Sequence, residues 1–173
     1  YITSVTSPSS LTAISNWTAL GYRDDTSATT AGLALNTAVT PAYNATALTY
    51  YGVYSRSIGV YSGANKGTSA TLTQYLNSNG NAVSAISVAA PTAISNWTAL
   101  GYRDDTSAGA KEYGSASAGN VTPAYSTSAV NLYAVYSRTV KVSYNANGGS
   151  NAPSATTGTV YLNTNANTMS SQA

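Results

Sequence analysis

The chain of 173 residues contains no cysteine, no histidine and no phenylalanine, and it has one methionine. The absence of cysteine excludes disulfide bonds and thiolate metal sites. The absence of histidine as well means that neither a Ser–His nor a Cys–His nucleophile pair can be formed. These gaps exclude the commonest nucleophilic mechanisms of catalysis.

Charge is also scarce, because charged residues make up 7% of the chain against roughly 25% in an ordinary soluble domain. The seven cations are scattered, with no basic run, so we expect no nucleic-acid partner. No apolar run approaches the roughly 18 residues of a membrane span, and we expect no membrane insertion. Solubility must depend on 25 Thr, 25 Ser and 16 Asn, a composition that favours an extracellular or cell-surface location.

Only five carboxylates are present: Asp24, Asp25, Asp104, Asp105 and Glu112. A glycosidase needs two carboxyl groups about 5 to 10 Å apart across a bond, whereas neighbouring Asp residues on a strand point to opposite faces. We therefore predict no enzyme, no catalytic residue, no cofactor and no metal site. Asp24 and Asp25 offer oxygen ligands of the kind that Ca²⁺ takes, but pairing of an Asp with Arg23 at a polar strand end is favoured.

Large apolar surface comes mainly from 15 Tyr and two Trp. Tyrosine can bury its ring while its hydroxyl stays hydrated, which suits small units with a thin core. For Tyr50, Tyr51 and Tyr133 we favour packing in a core or between units over a ligand-binding aromatic face.

Internal repeats organise the chain. The stretch TAISNWTALGYRDDTSA occurs at 12–28 and again, without substitution, at 92–108. VTPAY occurs at 39–43 and 121–125, YGVYSR at 51–56 matches YAVYSR at 133–138, and YLNSNGN at 75–81 matches YLNTNAN at 161–167. The loops at 26–38 and 106–120 differ in length and content while the segments around them repeat. Recent duplication of a structural module accounts for the identity.

Aligning the copies at the arginine of YSR divides the chain into the back part of a repeat unit (1–56), a complete unit (57–138) and the front part of another (139–173). Such a division is expected if the chain is a segment of a longer array of repeats. It is also expected of a subunit whose open front completes the open back of the next subunit by strand exchange.

Residue types indicate a mainly β chain with at most one short helix per unit. TVKVSYN at 139–145 alternates, which predicts a half-buried strand with Val140, Val142 and Tyr144 on one face. NANGGS predicts a turn, and TGTVYLNTN predicts the returning strand of a hairpin. The glycine within NWTALGYR predicts a bulge or a close backbone approach, and NAVSAISVAA and SPSSLTAIS are the candidates for a short helix or loop.

The order of NANGGS, YLN, ALGYRDD and LYAVYSR resembles the bacterial surface repeat of the Listeria/Bacteroides, or internalin B-repeat, type. The resemblance covers essentially the whole chain in two and a fraction copies, and it implies tandem small β-grasp-like modules in an elongated array. Where that family commonly has Phe-x-Gly-Trp, this chain has Ala-Leu-Gly-Tyr, with Trp17 and Trp97 two residues earlier. The resemblance implies a role as stalk, spacer or modest binding module and no catalytic residue.

We therefore expect a non-enzymatic structural protein of the bacterial surface that forms an extended stalk or an extracellular fibre, including by head-to-tail strand exchange, with itself as partner. The alternative is an adhesin module that binds a host protein or a glycan through the variable loops. The residues predicted to make surface contacts are Arg23, Asp24, Asp25, Arg103, Asp104 and Asp105.

Overall fold

The computed structural model describes residues 4–40 and 47–170. Its strands are β1 (Val5–Thr6), β2 (Thr18–Arg23), β3 (Leu33–Ala34), β4 (Ala38–Val39), β5 (Tyr51–Tyr61), β6 (Ser69–Asn77), β7 (Ala82–Val83), β8 (Ile86–Val88), β9 (Thr98–Arg103), β10 (Gly119–Val121), β11 (Asn131–Val142), β12 (Thr156–Asn163) and β13 (Thr168–Met169). One 3₁₀ turn spans Ala64–Lys66. The prediction of a mainly β chain is confirmed.

Of the two segments proposed for a short helix or loop, SPSSLTAIS is a loop and NAVSAISVAA contains two short strands, β7 and β8. Within NAVSAISVAA, β8 forms because Ile86 and Val88 are buried and Ser87 between them is exposed. This is the period of two that a strand imposes on its side chains. Alanine content suggested a helix there, but alternating burial decides the local structure.

The chain folds into two compact units. Unit 1 contains Tyr1–Ile58, Thr71–Ile86 and Val121–Val130, and unit 2 contains Gly59–Ala70, Ser87–Asn120 and Asn131–Ala173. The stretch 57–138, interpreted from the repeats as one complete unit, therefore contributes to both compact units. Neither unit is formed by a single contiguous repeat.

Unit 1 is built on antiparallel pairing of β2 with β5, in which Thr18 faces Ser55 and Arg23 faces Tyr51. β3 pairs with the other edge of β2, β6 pairs with β5, and β7 pairs with β6. A core cluster of Trp17, Tyr54 and Leu76 packs in this unit. The aromatic residues thus supply much of the buried volume, as the composition suggested.

In unit 2, β11 pairs antiparallel with β9 and with β12, and β13 continues the sheet beside β12. Beyond the end of β12, residues 59–61 pair in parallel with residues 131–133 of β11. Leu132 and Tyr136 of β11 are completely buried. The Tyr136 hydroxyl donates to the carbonyl oxygen of Thr92 at 2.7 Å, and burial raises its pKa to about 12.

Both copies of NWTALGYR contain the expected bulge. The pairing register shifts next to Gly21 in β2 and next to Gly101 in β9, and the φ angles of these glycines are 145° and 143°. A Cβ atom at Gly21 would lie 2.2 Å from the carbonyl oxygen of Leu33, and one at Gly101 would lie 2.5 Å from that of Tyr113. Only glycine can adopt these φ angles and leave room for the neighbouring carbonyl oxygen. The prediction of a bulge or a close backbone approach is confirmed, since both occur in each copy.

The hairpin predicted at 139–165 is present in β11 and β12, with Asn147 and Gly148 of NANGGS at positive φ. Its burial differs from expectation. Val142 is 42% exposed and Tyr144 is 49% exposed, so the expected buried face is wrong for these two residues. A strand's alternation shows which side chains share a face, but a face is buried only where another segment covers it.

Candidate functional site

The Arg-Asp-Asp residues of the first copy form a closed loop after β2. Arg23 donates from Nε and Nη2 to the two carboxylate oxygens of Asp25, at 2.7 and 2.6 Å. Its Nη1 donates to the carbonyl oxygen of Thr30 at 3.1 Å. The hydrogen bond from Arg23, with a further one from the Ser27 amide, holds the pKa of Asp25 well below its ordinary value. The predicted pairing of Arg23 with an Asp is confirmed.

The second copy repeats this arrangement after β9. Arg103 donates from Nε and Nη2 to Asp105 at 2.7 and 2.9 Å, and its Nη2 also contacts Glu112. Burial raises the pKa of Glu112, and attraction by Arg103 offsets this only in part. The Tyr113 hydroxyl donates to Asp104 at 2.9 Å. The differing loop therefore adds contacts around the same arginine.

A buried asparagine ties each of these loops to the strand beside it. The Asn77 side-chain amide donates to the carbonyl oxygens of Asp25 and Ser27 at 2.9 and 3.1 Å. Asn163 donates in the same way to Asp105 and Ser107, at 3.1 and 2.9 Å. The arginine and the second aspartate of each copy thus stabilise their own loop. Contact of these residues with an external partner stays a prediction.

Among residues 4–40 and 47–170, no group of three acidic, histidine or cysteine side chains is placed to hold a metal ion. The two carboxylate oxygens of Asp25 accept hydrogen bonds from Arg23. Pairing with arginine is thus the arrangement found for this aspartate.

A site that the sequence did not predict lies in unit 1, where Trp17 and Arg56 hold the segment that follows β10. The Arg56 guanidinium stacks over the Trp17 ring, with its carbon 4.6 Å from the ring centroid. The Trp17 indole Nε1 donates to the carbonyl oxygen of Ser126 at 2.8 Å, and the ring stacks on Tyr125 with centroids 6.2 Å apart. Trp17 is only 7% exposed.

Hydrogen bonds from Arg56 also hold this segment. Its Nη2 donates to the carbonyl oxygen of Ala124 at 2.8 Å and its Nε donates to the Gln74 Oε1 at 2.8 Å. Gln74 in turn donates to the carbonyl oxygen of Pro123 at 2.8 Å, and Asn16 donates to that of Thr127 at 2.7 Å. We call Asn16, Trp17, Arg56 and Gln74 the unit 1 cradle. It binds the main-chain carbonyls of Pro123, Ala124, Ser126 and Thr127, and a shallow cavity of about 350 Å³ remains beside it.

The same groups recur in unit 2, where none of the described residues forms an equivalent bound segment. Arg138 stacks over Trp97, with its carbon 4.7 Å from the ring centroid, and Asn96 has the same positive φ as Asn16, 62° against 61°. We call Asn96, Trp97 and Arg138 the unit 2 cradle. Arg138 is exposed and Trp97 is half-buried, whereas Arg56 is 3% exposed.

Within the described part of the chain, no acceptor lies at the Trp97 indole N–H. The repeats NW and YSR contained the signal for this site. Neither motif alone indicates the site, because the arginine partner of each tryptophan lies about 40 residues further along the chain.

No family model, curated protein or solved structure matches this chain. In the described residues, no helix is long and apolar enough to cross a membrane.

Proposed function

We propose that this protein is a non-enzymatic structural repeat protein of the bacterial cell surface that forms an extended stalk or an extracellular fibre. The observation that carries the proposal is the division of the repeat at 57–138 between the two compact units. A repeat that contributes to two units is completed by its neighbours in an array or an assembly. Repetition of this kind suits a protein whose function depends on length.

Strand continuity supports the same role. β5 runs for 11 residues through Arg56 and Ser57, and β11 runs for 12 residues through Arg138 and Thr139. No Gly- or Pro-rich linker interrupts the chain at either YSR sequence. A linker of flexible residues between repeats would make an array flexible. A stiff stalk therefore requires junctions that have no such linker.

The polar chemistry of the chain supports a structural role over catalysis. Asp25, Asp105 and Glu112 are in ion pairs with arginines of their own loops. The tyrosine hydroxyls whose pKa values burial raises to about 12, those of Tyr102 and Tyr136, donate to main-chain carbonyls. A hydroxyl with such a high pKa stays protonated near neutral pH, so it is a weak general acid and is not available as a general base. These groups stabilise the fold, and a surface of hydroxyls and amides suits an extracellular setting.

Small-angle X-ray scattering of the monomeric chain, together with negative-stain electron microscopy, tests this proposal. We expect a radius of gyration well above that of a compact domain of equal length, which is about 2.2·N^0.38 Å for N residues. Rods or filaments should appear in the micrographs. The matched control is any compact protein of about the same length measured in the same buffer. A compact particle at every concentration would contradict the proposal.

A further inference from the structure

The segment held by the unit 1 cradle has a second copy in the sequence. Residues 121–130 read VTPAYSTSAV and residues 39–48 read VTPAYNATAL, so the first five residues are identical. The contacts made by Asn16, Trp17 and Arg56 go to main-chain carbonyl oxygens, which both segments possess whatever their side chains. The tyrosine that stacks on the tryptophan is also present in both. Residues 41–46 lie outside the described part of the chain.

The unit 2 cradle has the groups needed to bind such a segment. Asn96, Trp97 and Arg138 are the sequence equivalents of Asn16, Trp17 and Arg56, and the cation stacks on the indole at nearly the same distance, 4.7 Å against 4.6 Å. Arg138 is exposed, and Trp97 is partly so. An indole N–H and a guanidinium in this arrangement are pre-organised donors, and pre-organisation lowers the entropic cost of binding.

Two further surfaces, at residues 49–51 and 141–143, are mostly exposed, whereas their equivalents at residues 131–133 and 59–61 pair with each other. In unit 2, residues 59–61 pair in parallel with residues 131–133, which buries Val60 and Leu132. The equivalents of these two residues are Val142 and Tyr50, which are 42% and 36% exposed. Tyr144 and Leu48 beside them are also exposed. In the described part of the chain, four of the seven exposed large hydrophobic residues thus lie on these two surfaces.

We propose that a second copy of this chain docks head to tail, with its residues 39–48 in the unit 2 cradle and its residues 49–51 paired in parallel with residues 141–143. This inference rests on the proposed fibre function and names the partner and the site. The two docking surfaces differ from one another, so each docked copy leaves one of each free. An interface of this heterologous kind propagates into filaments unless the rotation closes a ring.

One residue makes the unit 2 cradle weaker than the unit 1 cradle. Gln74, which donates to the carbonyl oxygen of Pro123, corresponds to Val160. A docked segment therefore lacks one hydrogen bond that the internal segment has. This difference suits a contact that forms between copies rather than during folding, and it supplies a variant expected to strengthen binding.

The test titrates a synthetic peptide with the sequence of residues 39–48 into the full chain and follows tryptophan fluorescence. We expect saturable binding, weakened about tenfold by Arg138→Ala because charged hydrogen bonds to carbonyl oxygens are lost. Val160→Gln should tighten binding about fivefold by adding a neutral hydrogen bond. Lys111→Ala, which removes one exposed positive charge elsewhere in unit 2, is the control and should bind as the wild type does.

Sedimentation velocity of the full chain tests the assembly directly. The wild type should associate in a concentration-dependent manner, and the peptide in excess should dissociate the assemblies. Arg138→Ala should stay monomeric at concentrations where Lys111→Ala associates. Circular dichroism establishes that each variant is folded, which we expect because Arg138 is exposed.

Absence of peptide binding to both the wild type and Val160→Gln would overturn the docking proposal, whatever the shape of the chain. Peptide binding that does not depend on Arg138, or a peptide effect without concentration-dependent association, would also overturn it. An elongated monomer that fails these tests leaves the stalk proposal in place. A compact monomer that passes them overturns the stalk proposal alone.

Discussion

At the scale of single residues, Arg56 and Arg138 show how one residue type acquires two roles. Both stack on a tryptophan at nearly the same distance, and both follow the sequence Val-Tyr-Ser. Arg56 is 3% exposed and donates to the buried Gln74 side chain and to the Ala124 carbonyl oxygen, whereas Arg138 is exposed. The difference comes from the segment that covers the first arginine and not the second.

This pair of arginines gives a matched prediction for stability. Arg56→Ala should lower the free energy of unfolding by about 2 to 4 kcal/mol, because carbonyl oxygens and the Gln74 side chain lose a charged donor. Arg138→Ala should cost only about 0.5 to 1 kcal/mol, the value of an exposed cation–π contact. Urea unfolding followed by tryptophan fluorescence measures both. Equal losses in the two variants would contradict the assignment of a structural role to Arg56.

The bulge glycines give a second prediction at the residue scale. Gly101→Ala should destabilise the chain by at least about 2 kcal/mol, since it places a Cβ against a main-chain oxygen and requires a φ that alanine rarely adopts. Gly119→Ala in β10 is the control, because apart from its chain neighbours no residue has an atom within 4 Å of the added Cβ, and it should change stability by less than about 0.5 kcal/mol. Thermal unfolding distinguishes them. A neutral Gly101→Ala would show that the strand can relax around the bulge.

At the scale of elements, the loops that follow β2 and β9 depend on ionised aspartates. The pKa values of Asp25 and Asp105 lie below their ordinary value of 3.8 because arginine hydrogen bonds favour the charged form. Their contribution to stability is fully present above that ordinary pKa, where the unfolded chain is also ionised. It is lost as the pH falls toward the lowered folded-state pKa values. Both aspartates are partly exposed, so solvent screening reduces the effect.

We therefore expect the melting temperature to fall as the pH is lowered below the ordinary pKa of aspartate. The double variant Asp25→Asn/Asp105→Asn should be less stable at neutral pH and should show a flatter dependence in that range. Glu112 has a raised pKa, so its contribution has the opposite sign and is lost as the pH rises. The comparison is best made in a Glu112→Gln background, by calorimetry across acidic pH. An unchanged slope in the double variant would contradict the role of the two aspartates.

The strands show that the burial of a side chain depends on which neighbouring element packs against its strand. β5 and β11 contain matching sequences, yet Val60 is 3% exposed and Val142 is 42% exposed. Pairing of residues 59–61 with residues 131–133 covers Val60, and among the described residues no equivalent parallel partner covers Val142. The half-buried face that we predicted for TVKVSYN is complete only in the copy that has its partner strand.

At the scale of the whole molecule, few charges and many hydroxyls and amides accompany a core in which tyrosines and Trp17 pack among valine, leucine and isoleucine. Such a core suits small units, because an aromatic ring buries much area for each residue. Of the large apolar side chains exposed in the described residues, several lie on the two surfaces proposed to dock. On soluble proteins, clustered apolar exposure of this kind marks interaction sites. The scattering and sedimentation experiments test whether copies of the chain associate.

The sequence by itself was sufficient for the mainly β class, the bulge at each Gly-Tyr pair, the NANGGS hairpin and the pairing of Arg23 with an aspartate. These features depend on local constraints: the period of a strand, the φ of a glycine, and the reach of an arginine two residues from a carboxylate. The repeats also indicated that both copies contain the same side chains and can therefore make the same contacts.

Only the tertiary structure decided which copy of each group is covered. It showed that the tryptophan of NW and the arginine of YSR form one cradle, that Val121–Val130 occupies the cradle of unit 1, and that two compact units share the repeat at 57–138. Contacts between residues about 40 to 110 positions apart leave no periodicity in the sequence. Identical motifs therefore acquire different burial, and that difference reveals the surfaces at which a second copy is proposed to bind.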